Sequence, residues 1–357
     1  MTLPNICLMM IVKNEVETLP TLFDSVEGLI SQWLIIDTGS TDGTQAVIQD
    51  RLGKIDGQLV ERPWVNFGHN RTELVRMIPE SCDYALLLDA DQAVRLSSIE
   101  EFTDELSRQS SSDVYLVAVE DGDLEYSMPY LVKRGANFRY EGATHEFLTA
   151  DRELQRVSFE SLKVRHIGNG GSKVDKFERD KLLLEQDLRE GKNLTRNHFY
   201  LAQTLQELGE LEEAKMHYLW VAQNSLWDEE RYMAYLRRGR LLKADGKPFE
   251  ALENFYSALD SCPDRVEAIF EIVKILQDQK HYALAQKLAT NVSELNADRI
   301  LFIEKWIADW GLKMESGVIA WNLGDKVEAK RIFTEILQMP GMSDSTIALA
   351  QQNLSYC

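Results

Sequence analysis

The sequence predicts an α/β domain with a mostly parallel sheet over residues 1–172, followed by an all-α repeat domain over residues 173–357. Three observations carry this. Short apolar runs alternate with helix-period segments up to about residue 165, the order that gives a parallel sheet with helices on both faces. From about residue 175 the strand signals vanish. In their place an alanine-centred pattern recurs at spacings of 37, 34 and 44 residues.

Ile6–Val12 is a continuous apolar run of strand length. Glu15–Leu29 reads as a helix, with Leu19, Leu22, Phe23, Val26 and Leu29 recurring at helical spacing. Leu34–Ile36 is a second strand, ending at Asp37. A helix over Thr41–Leu52 takes Ser40 or Thr41 as its N-cap. Phe67–Ile78 is a helix, Tyr84–Leu88 a buried strand, Ser97–Leu106 a helix and Val114–Val119 a strand. Shorter strands of mixed direction follow at Tyr130–Lys133, Arg139–Tyr140, His145–Leu148 and Leu162–Val164. The acidic run from Glu120 to Glu125 reads as a solvated hairpin turn. Gly168-Asn-Gly-Gly-Ser-Lys173, rich in glycine, reads as a linker or a lid.

In the second half, Ala214, Ala251, Ala285 and Ala329 mark equivalent places. Five residues earlier stand Gly209, Gly246, Lys280 and Gly324; four residues later stand Tyr218, Phe255, Ala289 and Phe333. Small residues let paired helices approach, and the aromatic fills the gap between them. The pattern resembles tetratricopeptide repeats, which implies a solenoid with a concave face for a peptide or partner protein. A buttress or a dimer surface is the blander use.

The chain of 357 residues is 44% hydrophobic with net charge −19. Residues 1–170 carry −13 of that charge and the remainder −6. The acidic excess argues against nucleic acid or an anionic membrane as a partner. Cys7, Cys82, Cys262 and Cys357 form no motif, and no run approaches 18 apolar residues. No basic stretch or cleavage site precedes the first strand. The expectation is a soluble, reduced, cytoplasmic protein without a membrane span.

The chemistry concentrates at strand ends. Tyr84–Leu88 runs straight into Asp89-Ala90-Asp91. Ligands of open α/β sheets bind beyond the carboxyl ends of strands. Two carboxylates there suit a divalent cation bridging to a phosphate. Asp37 ends another strand and opens the turn Thr38-Gly-Ser-Thr-Asp-Gly-Thr44, which suits hydrogen bonds to a base or ribose.

Four segments in order then carry a resemblance: Met10-Ile-Val-Lys-Asn-Glu15, Asp37-Thr-Gly-Ser-Thr-Asp-Gly-Thr44, Phe67-Gly-His-Asn-Arg71 and Leu88-Asp-Ala-Asp91. Together they resemble family 2 glycosyltransferases of the GT-A fold, a Rossmann-like arrangement. With the repeats they look like the subset that includes bacterial peptide and protein glycosyltransferases. The resemblance implies that Asp37 contacts the nucleobase, uracil, and that Lys13, Glu15 and Arg71 surround the nucleotide. Asp89 would hold ribose or metal-bound water, and Asp91 would ligate Mn²⁺ or Mg²⁺ on the diphosphate. Gln92 stands where the subset often has an acid. Tyr140-Glu-Gly-Ala-Thr-His-Glu146 resembles the subset's G-x-x-H-E segment, making Glu146, ahead of His145, the candidate general base. His166 would complete the metal shell, touch a phosphate or sit plainly at the surface. Asn169 and Lys173 could add donors to the diphosphate.

The expected activity is metal-dependent, inverting transfer of a hexose from a UDP-sugar. The acceptor would be a peptide, a protein or a saccharide presented by the repeats, and a homo-oligomer is compatible. The rival is a repeat scaffold whose first domain binds a nucleotide sugar without turnover. A nucleotidyltransferase fits poorly, because Lys13-Asn14-Glu15 holds no glycine-rich phosphate loop.

Overall fold

The computed structural model describes residues 3–121, 124–167, 176–290 and 301–357. Its elements fall into two compact units, Met1–Asn193 and Leu194–Cys357.

The first unit contains β1 (Ile6–Val12), α1 (Leu19–Ser25), β2 (Gln32–Asp37), α2 (Thr44–Leu52), β3 (Asp56–Glu61), α3 (Phe67–Arg76) and β4 (Tyr84–Leu87). It continues with β5 (Gln92–Leu96), α4 (Ile99–Arg108), β6 (Val114–Asp121), β7 (Leu124–Lys133), β8 (Arg139–Glu141), β9 (Phe147–Thr149), β10 (Arg156–His166) and α5 (Lys176–Arg189). Eight strands form one sheet in the order β3-β2-β1-β4-β7-β6-β10-β5, and β8 pairs with β9 separately. β3, β2, β1 and β4 are mutually parallel, as are β6 and β10, while β7 and β5 run against their neighbours.

The apolar runs place themselves at the centre because both their faces are covered. In β1, Ile6, Leu8, Met10 and Val12 face a core shared with α1, α2 and α4. Cys7 and Met9 face the opposite core, with Leu74 and Val75 of α3. All four residues of β4 are buried.

Several boundaries differ from the sequence reading. The helix expected from Glu15 begins at Leu19. The amides of Asn14, Glu15 and Val16 are instead bound by the side chains of Ser40, Thr44 and Asp42. Likewise α2 begins at Thr44 behind left-handed Gly43, so neither Ser40 nor Thr41 caps it. His145 is not in a strand, since β9 starts at Phe147. β3 and β5 are strands the periodicity did not reveal. Of the acidic run, Glu120 pairs with Glu125 across the β6–β7 hairpin, while 122–123 lie outside the described residues. Gly168–Lys173, with Asn169, also lies outside them. The sequence reading starts the second domain at residue 173, whereas α5 is grouped with the sheet. There Asp187 accepts the Ala143 amide at 2.9 Å.

The second unit is a row of helix hairpins: α6 (Leu194–Glu207) with α7 (Leu211–Asn224), α8 (Asp228–Ala244) with α9 (Pro248–Ser261), and α10 (Glu267–Asp278) with α11 (Tyr282–Thr290). A five-residue π-turn at Ile307–Gly311 leads into α12 (Leu312–Asn322), α13 (Lys326–Ile336) and α14 (Asp344–Ser355). Each hairpin turn holds one left-handed residue: Gly209, Gly246, Lys280 and Gly324. Lys280 therefore adopts, at φ 62°, the geometry that glycine supplies elsewhere. Gly239 and Gly317 make room for the rings of Phe255 and Phe333, which a Cβ would meet at 2.5 and 2.6 Å. In the third hairpin the sizes are exchanged, with Val273 and Ala289 at the corresponding places.

Candidate active site

The candidate side chains collect beyond the carboxyl ends of β1, β2 and β4, the edge of a parallel sheet where ligands bind. They form three groups.

The first ties β1 to β2. Asp37 is 1% exposed, and one of its oxygens accepts from the Ser40 amide at 3.0 Å and the Ser40 hydroxyl at 2.6 Å. Its other oxygen accepts from the Gln45 side-chain amide. Asn14 is left-handed (φ 57°), and its side-chain Oδ1 accepts from Thr41 N at 2.8 Å. Thr18 donates to the Glu15 carboxylate at 2.9 Å, and Lys13 is exposed. Thr44 bonds to Asp42 through both N and Oγ1; desolvation pushes the Asp42 carboxyl up, but these donors together with the Val16 amide outweigh it and hold the group below its usual range.

The second group centres on Arg71. The motif around it has a physical reason at each position. Asn66 caps α3 by accepting from His69 N at 2.7 Å. Phe67 packs edge-on to Trp64, and its amide donates to Ala143 O at 3.0 Å. Gly68 has no Cβ because one would lie 2.1 Å from Gly142 O. Asn70 is fully buried, accepting from Val65 N and donating to Pro63 O. Thr72 clasps the Tyr140 backbone through both N and O.

So fixed, Arg71 reaches two acids. Its Nη2 donates to Asp89 Oδ1 at 2.6 Å. Its Nε lies 2.9 Å from Glu146 Oε1 but is not aligned to donate to it, so this contact is an ion pair and Nε is left without an acceptor. The guanidinium lies 5.7 Å from the Tyr140 ring centre. Burial by itself would lower the Arg71 pKa, but Asp89 and Glu146 overcome it and hold the group firmly charged. Burial raises the Tyr140 hydroxyl to about 12, the pull of Arg71 notwithstanding. His145, next to Glu146, is exposed and left-handed at φ 50°. Such strain in a non-glycine residue is often found at working sites.

The third group is Asp91 with His166. His166 Nδ1 lies 3.9 Å from Asp91 Oδ2, both side chains are partly exposed, and the Ile167 amide donates to Asp91 O at 2.9 Å. Tyr126 OH lies 3.5 Å from His166 Nε2. Gln92 is only 1% exposed; its oxygen accepts from Asp89 N at 2.9 Å and its nitrogen donates to Tyr130 OH at 2.7 Å. It braces the turn between the two aspartates, and the neutral amide fits because it both donates and accepts.

Arg71, Asp89 and Glu146 are thus joined directly, and Asp91 and His166 lie side by side. Lys13, Glu15 and Asp37 form a neighbouring set. Gln45 and Tyr130 have no role legible without the fold, and the sequence points to Tyr140 only as the first residue of the segment ending at Glu146. Among the described residues no three His, Cys, Asp or Glu side chains converge as a metal-holding group. Asp91 and His166 offer one oxygen and one imidazole nitrogen, a mixed pair that fits Mn²⁺ better than the all-oxygen-seeking Mg²⁺, with phosphate oxygens and water for the other positions. Asp89 is engaged with Arg71 instead.

Among the described residues no helix is long and apolar enough to cross a membrane. Residues 7–178 match the profile of Glycosyl transferase family 2. A curated relative, the TPR repeat-containing protein Synpcc7942_0270 of Synechococcus elongatus, is 26% identical over 147 residues, which is 40% of this chain. The match spans only about a third of that protein's length (35%). Among solved structures, S. aureus TarS aligns over 73% of this chain and 53% of its own, at 12% identity and a TM-score of 0.38. MamA aligns over 46% of this chain and 89% of its own, at 14% identity and a TM-score of 0.37.

Proposed function

We propose, from the match of residues 7–178 to Glycosyl transferase family 2, that the chain is a metal-dependent, inverting glycosyltransferase. It moves a hexose from a UDP-sugar to a peptide, protein or saccharide acceptor. The observation that carries this reading is Arg71, a guanidinium set between Asp89 and Glu146 with a buried Nε hydrogen lacking an aligned acceptor. A buried donor left over in a folded protein needs a reason, and a bound anion supplies one. The guanidinium fork matches phosphate oxygens bidentately, so a diphosphate fits it.

Asp91 and His166 would hold the cation, which when bound stabilises the charge on the departing nucleoside diphosphate. Asp37 would meet the uracil by exchanging the Gln45 amide for the base N–H. Lys13 and Glu15 lie on the same edge, and Asp89 would face the ribose. A donor phosphate offers Arg71 a stronger counter-charge than Glu146 does. Drawn towards it, Arg71 releases the Glu146 carboxylate. Glu146 then takes the proton from the acceptor as its nucleophile attacks the anomeric carbon opposite the leaving group. The sugar–phosphate bond breaks, and its electron pair leaves with UDP. Exposed His145 is the second candidate base.

The test is UDP release from a panel of UDP-hexoses with Mn²⁺, in wild type and in Asp91→Ala. Release with one donor, abolished in a folded Asp91→Ala variant, supports the reading. Binding of UDP without release, with any acceptor or with water, supports a non-catalytic scaffold instead.

A further inference from the structure

The repeat unit carries a short stretch of its own chain on one face. The step from Ala285 to Ala329 is 44 residues against 34 for the step before it, so the connection from α11 to α12 is longer. Before entering α12, Leu301–Glu304 lies against residues from three successive hairpins. The Leu301 amide donates to Glu229 Oε2 at 2.9 Å, and its carbonyl accepts from Arg265 Nη1 at 2.8 Å. The Phe302 carbonyl accepts from Arg265 Nη2 at 3.3 Å. The Glu304 amide donates to Glu267 Oε1 at 3.3 Å, and its carboxylate receives Arg240 Nη1 at 2.7 Å. The Phe302 ring stacks on Phe199 of α6, with centroids 6.1 Å apart and planes 15° apart. The Arg237 guanidinium lies 4.7 Å from one ring and 5.2 Å from the other.

The groups that grip this stretch are built into the core. Arg265 and Glu267 are 0% exposed and Glu229 is 4% exposed. Arg265 pairs with Glu267 at 2.7 Å, and the Tyr232 hydroxyl donates to Glu267 at 2.9 Å. Buried charges need their remaining hydrogen bonds satisfied, and here main-chain atoms of Leu301–Glu304 satisfy them. Four of the five polar contacts go to main chain, so they tolerate many sequences. Phe302 and Glu304 supply the selective contacts. Elsewhere on this face Lys243 pairs with Glu271, and Lys274 with Glu315. Phe302 is left-handed at φ 50°, a strained state for a bulky residue. The internal occupant therefore does not fit in a relaxed form.

We propose that this face is a peptide-recognition groove which the chain fills with its own Leu301–Glu304. A segment of a partner protein, with an aromatic residue followed two positions later by a carboxylate, binds by displacing it.

The probe is a labelled peptide of sequence Leu-Phe-Ile-Glu-Lys-Trp, titrated by fluorescence anisotropy into the full chain. The expected result is binding to the Phe302→Ala/Glu304→Gln variant at least tenfold tighter than to wild type. Replacing the peptide's Phe by Ala or its Glu by Gln should each lower affinity. If the double variant loses helicity by circular dichroism, Glu304→Gln alone, which removes one partly exposed contact, is read in its place. A folded variant that ignores the peptide overturns the proposal and makes the segment a structural strap. Equal binding by wild type and variant overturns it as well.

Discussion

Arg71 Nε sits 2.9 Å from Glu146 Oε1 without being aligned to donate to it, while the same guanidinium donates squarely to Asp89. The weaker half of this bridge is the one the proposed mechanism opens. Glu146→Gln keeps the shape and removes the proton acceptor. Turnover is expected to fall about 10²–10⁴-fold, the usual contribution of a general base, with UDP affinity changed only a few-fold. Turnover like wild type would move the base to His145.

Gly68 packs against Gly142 O so closely that no side chain fits. Gly68→Ala should push α3 away from the turn that carries His145 and Glu146. Overpacking of this kind costs about 1–3 kcal/mol. A thermal melt should show the loss of stability, and an activity assay should show turnover falling further than UDP binding does.

Lys280 holds a left-handed turn that glycine holds in the other three hairpins. Glycine takes this conformation without steric cost but loses more freedom on folding. Lys280→Gly is expected to stabilise the chain by about 0.5–1 kcal/mol net, read as a raised melting temperature. A lowered one would show that Lys280 is not strained.

His198 and His217 face each other through their Nδ1 atoms at 2.6 Å. Burial first, then the neighbouring His217, lowers the His198 pKa from 6.5 to about 4. Folded His198 thus stays neutral where the unfolded chain takes up a proton. Its contribution to stability is complete above pH 6.5 and is lost as pH falls towards 4. The melting temperature of His198→Gln should drop less than that of wild type between pH 7 and pH 5. Equal drops would show that the pair does not titrate in this way.

The strands with both faces covered were legible, since Ile6–Val12 and Tyr84–Leu87 are apolar throughout. β3 was not, because Asp-Gly-Gln-Leu-Val-Glu is an edge strand in which only Val60 is buried. β5 was missed because buried Gln92 reads as a polar loop residue until Tyr130 and Asp89 are seen to engage it. The strand-end acids Asp37, Asp89 and Asp91 could be read from where apolar runs stop. The bridge from Arg71 to Glu146 could not, because 75 residues separate them and only the fold brings them together. In the repeats, the step of 44 residues marked the longer connection, but nothing in the sequence told that Leu301–Glu304 would lie across α8 and α10.

The most direct test is a calorimetric titration of UDP, with and without Mn²⁺, into wild type and Asp91→Ala. The account predicts that Mn²⁺ strengthens UDP binding to wild type at least tenfold, about 1.4 kcal/mol. The gain should vanish in Asp91→Ala while the melting curve stays unchanged. UDP binding that ignores the metal and survives Asp91→Ala would contradict it.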